Sequence, residues 1–251
     1  MGLLATLVHG SGAAPVNTGA PWQTLQAAVS PSAIYDNAVG VTVVSSAVTA
    51  WADATGTCPS LTAQGSGTAI AVVGGLITIT AGGKLLESAT ASSLFDTSHA
   101  LTIAVIMNAP SGGAQKNAFA LSEAGGSSGY TRMLGMQSTS GAGDYQGVGA
   151  TSIASRTSSA VALDSNLRLI IVSQNSSNLN LDVPNQTRDI TGSSVPAAGN
   201  NYLTIGGYYI EAAELTMGVA AIVVIPGAIA ATGTAINALK TYAATKSYTP
   251  A

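Results

Sequence analysis

Tyr202-Leu203-Thr204-Ile205-Gly206-Gly207, then Met217-Gly218-Val219-Ala220-Ala221-Ile222-Val223-Val224-Ile225-Pro226-Gly227, then a periodic stretch to Lys246 decide the fold. The first run is short, β-type, and stopped by two glycines. The second is apolar almost throughout and ends at a proline–glycine breaker. Ala235, Ile236, Leu239, Tyr242 and Ala243 then recur at three- and four-residue spacing, which predicts a helix with one buried face. Thr232 or Thr234 is the expected N-cap, because a threonine oxygen can accept from a free amide of the first turn.

Working outward, the rest of the chain reads as strands and turns. Val41 to Trp51 is β-branched and interrupted at Ser45-Ser46, by either a bulge or a hairpin turn. Asp53-Ala54-Thr55-Gly56 has aspartate first and glycine fourth, the pattern of a type I turn. Thr68 to Val73, Gly74-Gly75, and Leu76 to Thr80 form an expected two-residue hairpin. Leu101 to Met107 reads as a core strand. Phe119 to Ser122, Tyr130 to Gln137 and Tyr145 to Gly149 follow, separated by Gly/Ser-rich loops. Leu167 to Ser173 and Asn178 to Val183 read as a hairpin. There is no internal repeat. About a dozen short strands between turn signals predict an all-β chain, a two-sheet antiparallel sandwich closed by one C-terminal helix.

Composition bounds the function. The chain has 251 residues, enough for one large β domain that needs no cross-link. Cys58 is the single cysteine, so no intrachain disulfide can form, which fits a reducing compartment. Only 8% of residues are charged, against roughly 25% in ordinary globular domains, and the net charge is −3. With no basic stripe, nucleic-acid binding is not expected. The apolar fraction of 47% argues against disorder. Gly2 to Val8 is apolar but is preceded by no Lys or Arg, so the positive region of a secretory signal is missing. No run has the roughly 20 apolar residues of a membrane-spanning helix, and a soluble chain without a membrane partner is expected. A charge-poor surface resists self-association weakly.

Residues 1–30 read as an extended N-terminal arm ahead of a domain at 31–251. Gly10 to Pro15 and Asn17 to Pro21 are turn and linker chemistry, and Leu3, Leu4, Leu7, Val8 and Trp22 are the sizeable apolar anchors. On this reading, deleting residues 1–30 leaves a folded sandwich that no longer assembles.

Trp51-x-Asp53-x-x-Gly56, Leu101-Thr102-Ile103, Leu203-Thr204-Ile205-Gly206-Gly207, Gly218-x-Ala220-x-Ile222-Val223-Val224 and the helix ending Tyr242-Ala243-Ala244-Thr245-Lys246 together resemble the concanavalin A-like lectin/glucanase superfamily. The likeness runs from about Ser32 to Tyr248 and is nearest the laminin-G-like and pentraxin-like jelly rolls of bacterial and phage surface proteins. What the resemblance implies is a jelly-roll sandwich serving as a non-enzymatic structural protein of a bacteriophage particle, as capsid decoration, fibre or tail appendage. Such a protein is made in the host cytoplasm and exposed on the virion exterior. It contacts other virion proteins through the arm and forms a homo-oligomer, by analogy a trimer. The alternative is a lectin-like module recognising a cell-surface polysaccharide, such as a host glycan. No cofactor is expected, although laminin-G-like relatives leave a calcium at a loop rim open, with no ligand assigned here.

Candidate sites are few. Gly125-Gly126-Ser127-Ser128-Gly129 matches a nucleophile-elbow pattern, but that motif needs a helix after the serine and a strand is expected instead. The family's catalytic Glu-x-Asp-x-x-Glu strand is absent, so enzyme activity is not expected. Glu211 and Glu214 are the nearest acidic pair, read first as a solvated loop tip. His9, Cys58 and His99 lack zinc spacing, and Asp53, Asp96, Asp144 and Asp182 are isolated. Tyr208 and Tyr209 sit beside the glycines of the same loop. They suit sugar stacking, an interface, or plain packing. Tyr208, Tyr209, Glu211 and Glu214 are therefore the candidate carbohydrate site.

Overall fold

The computed structural model describes residues 19–64, 69–80, 83–87, 100–108, 111–112, 116–123, 132–138, 145–149, 153–156, 166–175, 178–183, 186–191, 201–207, 215–229 and 232–247. In chain order these form α1 (Pro21–Val29), β1 (Ala33–Asp36), β2 (Val41–Val44), β3 (Ala47–Trp51), β4 (Leu61–Gln64), β5 (Ile70–Val73) and β6 (Leu76–Ile79). β7 (Lys84–Glu87), β8 (Leu101–Met107), β9 (Ser111–Gly112), β10 (Lys116–Glu123), β11 (Arg132–Ser138) and β12 (Tyr145–Gly149) come next. β13 (Ile153–Arg156), β14 (Arg168–Gln174), β15 (Asn178–Val183), β16 (Gln186–Thr191), β17 (Asn201–Ile205), β18 (Leu215–Pro226) and α2 (Thr234–Ala244) complete the chain. The strands build two antiparallel sheets, as the turn spacing predicts.

One sheet runs β16-β15-β14-β8-β18-β6-β5, with β1 and β9 also on β18. The other runs β13-β12-β11-β10-β17-β7-β4-β3-β2. β18 is the longest strand and organises the first sheet. Val224 pairs with Ile103 of β8 and with Ala33 of β1, while Val219 pairs with Met107 of β8 and Ile77 of β6. β1 and β6 therefore lie end to end along the edge of β18 that faces away from β8.

The central strands β8, β14 and β18 of this sheet are buried on both faces, which explains their unbroken apolar runs. Val172, Ile103 and Val224 form one cross-strand row, and Ile170, Val105 and Ile222 the next. All six point inward to a core shared with Trp51, Leu61, Phe119 and Leu203. The alternate rows, Ile171–Ala104–Val223 and Leu169–Ile106–Ala221, face outward and are covered by Leu25 of α1 and by Ile236, Leu239, Tyr242 and Ala243 of α2. A register shift between Val219 and Ala221 inserts one residue. Ala220 and Ala221 thus both belong to the helix-covered side, and the small side chains let the helices come close.

The turns match their sequence signals. Ser45 and Ser46 both have positive φ (48° and 70°), so Val41 to Trp51 is a hairpin. Gly74 and Gly75 do the same between β5 and β6 (φ 58° and 81°), the geometry of a type I′ turn. The Gly56 amide donates to the Asp53 carbonyl at 3.1 Å, closing the expected turn. The N-cap of α2 differs from expectation: it is Gly233, at φ 125°, and no side chain caps the helix. Neither threonine stands one residue before the first helical turn, which is the position a cap requires.

The N-terminal expectation is corrected for residues 21–30. Pro21 to Val29 is a helix, not an extended arm. Proline suits the first helical position because its missing amide would have no partner there. The Ala20 amide donates to Gln23 Oε1 at 3.3 Å, and Ser30 closes the end in the left-handed region, its amide on the Gln26 carbonyl at 3.0 Å. Leu25 is 2% exposed and Trp22 packs on the same outer cluster. Linker residues up to Pro21 masked this one-leucine amphipathic signal. Leu3, Leu4, Leu7 and Val8 lie outside the described residues. The domain therefore begins no later than Pro21. Deleting residues 1–30 is now expected to strip a core helix and lower the melting temperature, as scanning calorimetry can show. Leu25→Ala should cost about 2–5 kcal/mol in urea unfolding.

Candidate functional site

The sequence-nominated loop joins the two sheets. β17 ends at Ile205 in the second sheet and β18 starts at Leu215 in the first. Residues 206–214 are thus the connection from one sheet to the other, and such connections carry function in many folds. Tyr208, Tyr209, Glu211 and Glu214 lie outside the described residues. What the structure fixes is the frame on which that loop is mounted.

Both ends of the frame are tightly specified. The Gly206 amide donates to the Ala118 carbonyl at 2.6 Å, and Thr204 Oγ1 donates to the Gly207 carbonyl at 3.0 Å. Gly206 has φ +85°, and a Cβ there would meet Ile79 Cγ2 at 2.9 Å. Only glycine fits both the backbone and the space. At the far end Asn108 holds β18: its amide donates to the Gly218 carbonyl at 3.0 Å and its Oδ1 accepts the Gly218 amide at 2.6 Å. Leu215 and Thr216 also pair with Gly112 and Ser111 of β9. The loop is therefore mounted on strand ends that are hydrogen-bonded on both sides.

Two acidic residues elsewhere are used up by the fold. Asp53 is buried and accepts five hydrogen bonds. Its Oδ1 takes the amides of Ile34 (2.8 Å) and Thr55 (3.0 Å), and its Oδ2 takes Thr55 Oγ1 (2.6 Å) and the amides of Thr57 and Cys58 (both 2.9 Å). This ties the turn to β1. Its neighbour Trp51 is fully buried, donates Nε1 to the Asp36 carbonyl at 3.0 Å, and meets Tyr35 edge-on at 6.0 Å. The Trp51-x-Asp53-x-x-Gly56 pattern is a structural motif.

Asp36, which no sequence signal singled out, forms the second cluster. Its carboxylate is paired with Lys246 Nζ, accepts the Tyr242 hydroxyl at 2.7 Å and accepts the Ala38 amide at 2.8 Å. Lys246 Nζ also donates to Asn37 Oδ1 at 3.0 Å and lies 5.6 Å from the Tyr242 ring centroid. These partners are about 210 residues apart, beyond any local pattern. Each carboxylate oxygen accepts a hydrogen bond, and Asp36 and Tyr242 are buried, so the cluster clamps the C-terminal helix to the first strand. Burial first, then the Asp36 carboxylate and the hydrogen bond to it, hold the Tyr242 phenol protonated well above its usual range.

The remaining motifs resolve simply. The residues after Gly125–Gly129 form β11, not a helix, so the nucleophile-elbow context is absent. Among the described residues, no three His, Cys, Asp or Glu side chains come together as a metal site. Cys58 is half-buried, with its Sγ 3.3 Å from the Ser32 carbonyl. His9, His99, Asp96 and Asp144 lie outside the described residues.

No protein-family model matches the chain, and no curated protein matches it by sequence. Solved structures do share its fold. One is Trypanosoma rangeli sialidase, at TM-score 0.60 and 11% identity, covering 86% of this chain and 33% of that one. Another is an arabinofuranosidase complexed with arabinofuranosyl-α-1,2-xylobiose, at TM-score 0.62 and 10% identity, covering 90% and 65%. Domain 4 of AbnA, a GH43 extracellular arabinanase from Geobacillus stearothermophilus, was solved with arabinotriose. It matches at TM-score 0.58 and 10% identity, covering 84% of this chain and 98% of that domain. This chain thus spans about a third of the sialidase and nearly the whole arabinanase domain. At these identities the likeness is one of fold.

These matches correct the expectation that the chain is not an enzyme. The sandwich occurs in a sialidase, an arabinanase domain and an arabinofuranosidase. Absence of one catalytic strand pattern excludes one arrangement of carboxylates and leaves the others.

The Asp36 clamp has a measurable pH signature. Tyr242 keeps its proton in the folded state at a pH where the unfolded phenol, near 10, loses it. Its contribution to stability is therefore complete below about pH 10 and is lost as pH rises further, by up to ~1.4 kcal/mol per pH unit. Urea unfolding on both sides of that pH should show this loss in the wild type and a flatter profile in Tyr242→Phe.

Proposed function

We propose that this chain is a carbohydrate-binding β-sandwich of the concanavalin A-like kind, which meets its glycan at the rim formed by residues 206–214. The observation that carries the reading is the match to nearly all of the arabinanase domain that was solved with arabinotriose. Its chemistry is supported by the sequence of the rim. Tyr208 and Tyr209 offer apolar ring faces for sugar C–H groups and hydroxyls for polar contact. Glu211 and Glu214 are acceptors for sugar hydroxyls. The segment Gly206-Gly207-Tyr208-Tyr209-Ile210-Glu211-Ala212-Ala213-Glu214 contains two carboxylates and no basic residue, so it favours a neutral glycan over an anionic one. Placement on a bacteriophage particle is a separate proposal, resting on the family resemblance and the charge-poor composition.

The test is calorimetric titration of the full chain with neutral pentose and hexose oligosaccharides and with sialosides. A neutral oligosaccharide should bind, and Tyr208→Ala with Tyr209→Ala should weaken it roughly 10- to 100-fold without changing the melting temperature. Failure of the wild type to bind any glycan would sink the reading. Reducing-end release should be followed on the same samples. Cleavage that stops in Glu211→Gln or Glu214→Gln would make this rim a hydrolytic site and not solely a binding one.

A further inference from the structure

Among the residues whose exposure the structure describes, the exposed large hydrophobics belong to two edge strands and the segment leading into one of them. Val39, Val43, Val44, Val72 and Val73 are 36–58% exposed. Val43 and Val44 end β2 and Val72 and Val73 end β5, each just before its hairpin turn, and Val39 lies in the segment leading into β2. The segment leading into β2 meets the β5–β6 turn, where Asn37 Nδ2 donates to the Gly75 carbonyl at 2.6 Å, and β3 packs on β5. Isolated exposed valines are ordinary, but five along one flank leave it more apolar than a solvated edge needs to be.

The flank is also an open edge in both layers. β2 is the terminal strand of one sheet and β5 the terminal strand of the other. Such edges present rows of backbone donors and acceptors, so the occupant that fits them is another β-strand. Edges are normally guarded by charge. Here residues 37–52 and 65–83 contain no Asp, Glu, Lys, Arg or His. The strands at the opposite ends of the two sheets contain Arg156 in β13 and Arg188 with Asp189 in β16. One flank carries charged sequence and the other none.

We propose that this chain forms a two-fold symmetric dimer by joining its β2–β5 flank to the same flank of a second copy. Charge selects this occupant. A charged partner strand would lose hydration against a flank that has no counter-charge, whereas a second copy brings the same neutral, valine-rich edge. Geometry closes the assembly at two. Identical strands paired antiparallel are related by a two-fold axis, and one axis through both layers sets β2 against its own copy and β5 against its own copy. Both sheets then continue from one protomer into the other. The exposed patch is on the order of a few hundred Å² per copy, below the roughly 800 Å² per partner of a standard interface. The dimer therefore dissociates on dilution.

Sedimentation velocity of the full chain from low to high micromolar concentration tests this. The wild type should shift from monomer to dimer, and Val43→Lys and Val73→Lys should each stay monomeric with an unchanged melting temperature, since both side chains already face solvent. Should a lysine variant fail to fold, Val44→Thr, nearly isosteric, should still weaken the dimer. Amide exchange at Val43 and Val44 should slow with concentration in the wild type alone. A wild type that is monomeric throughout overturns the proposal. So does a trimer, whose three-fold axis cannot pair identical edges antiparallel, or a dimer that survives both lysine variants.

Discussion

Burial of three central strands on both faces is the constraint on which the rest of this structure depends. β8, β14 and β18 carry apolar side chains on both sides, so neither face can meet water. The second sheet covers one face, and only helices are left to cover the other. α1 and α2 are thus parts of the core, although they sit at opposite ends of the chain. The alanines at 104, 220 and 221 make the cover possible by keeping the helix-facing surface low. Bringing chain ends together across the whole fold costs loop entropy. The Asp36–Tyr242–Lys246 clamp offsets some of that by fixing α2 to the first strand. A buried pair of this kind adds little net stability against a well-packed apolar alternative, but it permits only one seating of the helix.

Much of the fold was legible because its signals are local. Gly74-Gly75 dictates a hairpin turn, Asp53 to Gly56 dictates a tight turn, and the spacing of Ile236, Leu239 and Tyr242 dictates the buried face of α2. The unbroken apolar run of β8 was equally local, yet its meaning was not: alternation tells which face is wet, and a strand without alternation must be covered twice. Reading that literally would have called for a second covering element and found α1. Its nine residues offered one buried leucine and a proline at the start, which look like the end of a linker. The α2 cap was misplaced for a simpler reason. Glycine at a positive φ serves there, and no side chain advertises it.

The candidate site was legible only as chemistry. Tyrosines and glutamates beside glycines indicate what a loop can touch, and the topology supplies what the sequence could not, that this loop links the two sheets. The same comparison removed competitors. Asp53 and Asp36 could have been taken for ligands or acids until their hydrogen bonds were counted. Asp53 accepts from four amides and a hydroxyl, and Asp36 from an amide, a phenol and an ammonium, so both carboxylates are engaged in holding the fold. In a chain with so few charges, two of the eleven acidic side chains are committed to holding β1 in place.

The seating of α1 against α2 has an architectural result. Gly19, the residue that leads into α1, and Thr245, the residue that caps α2, line the same shallow groove of about 450 Å³ between the two helices. Chain enters and leaves this domain on one side of the sandwich, the side away from the second sheet. A domain so arranged can be carried on a stalk, or inserted within a larger protein, with its strands unstretched.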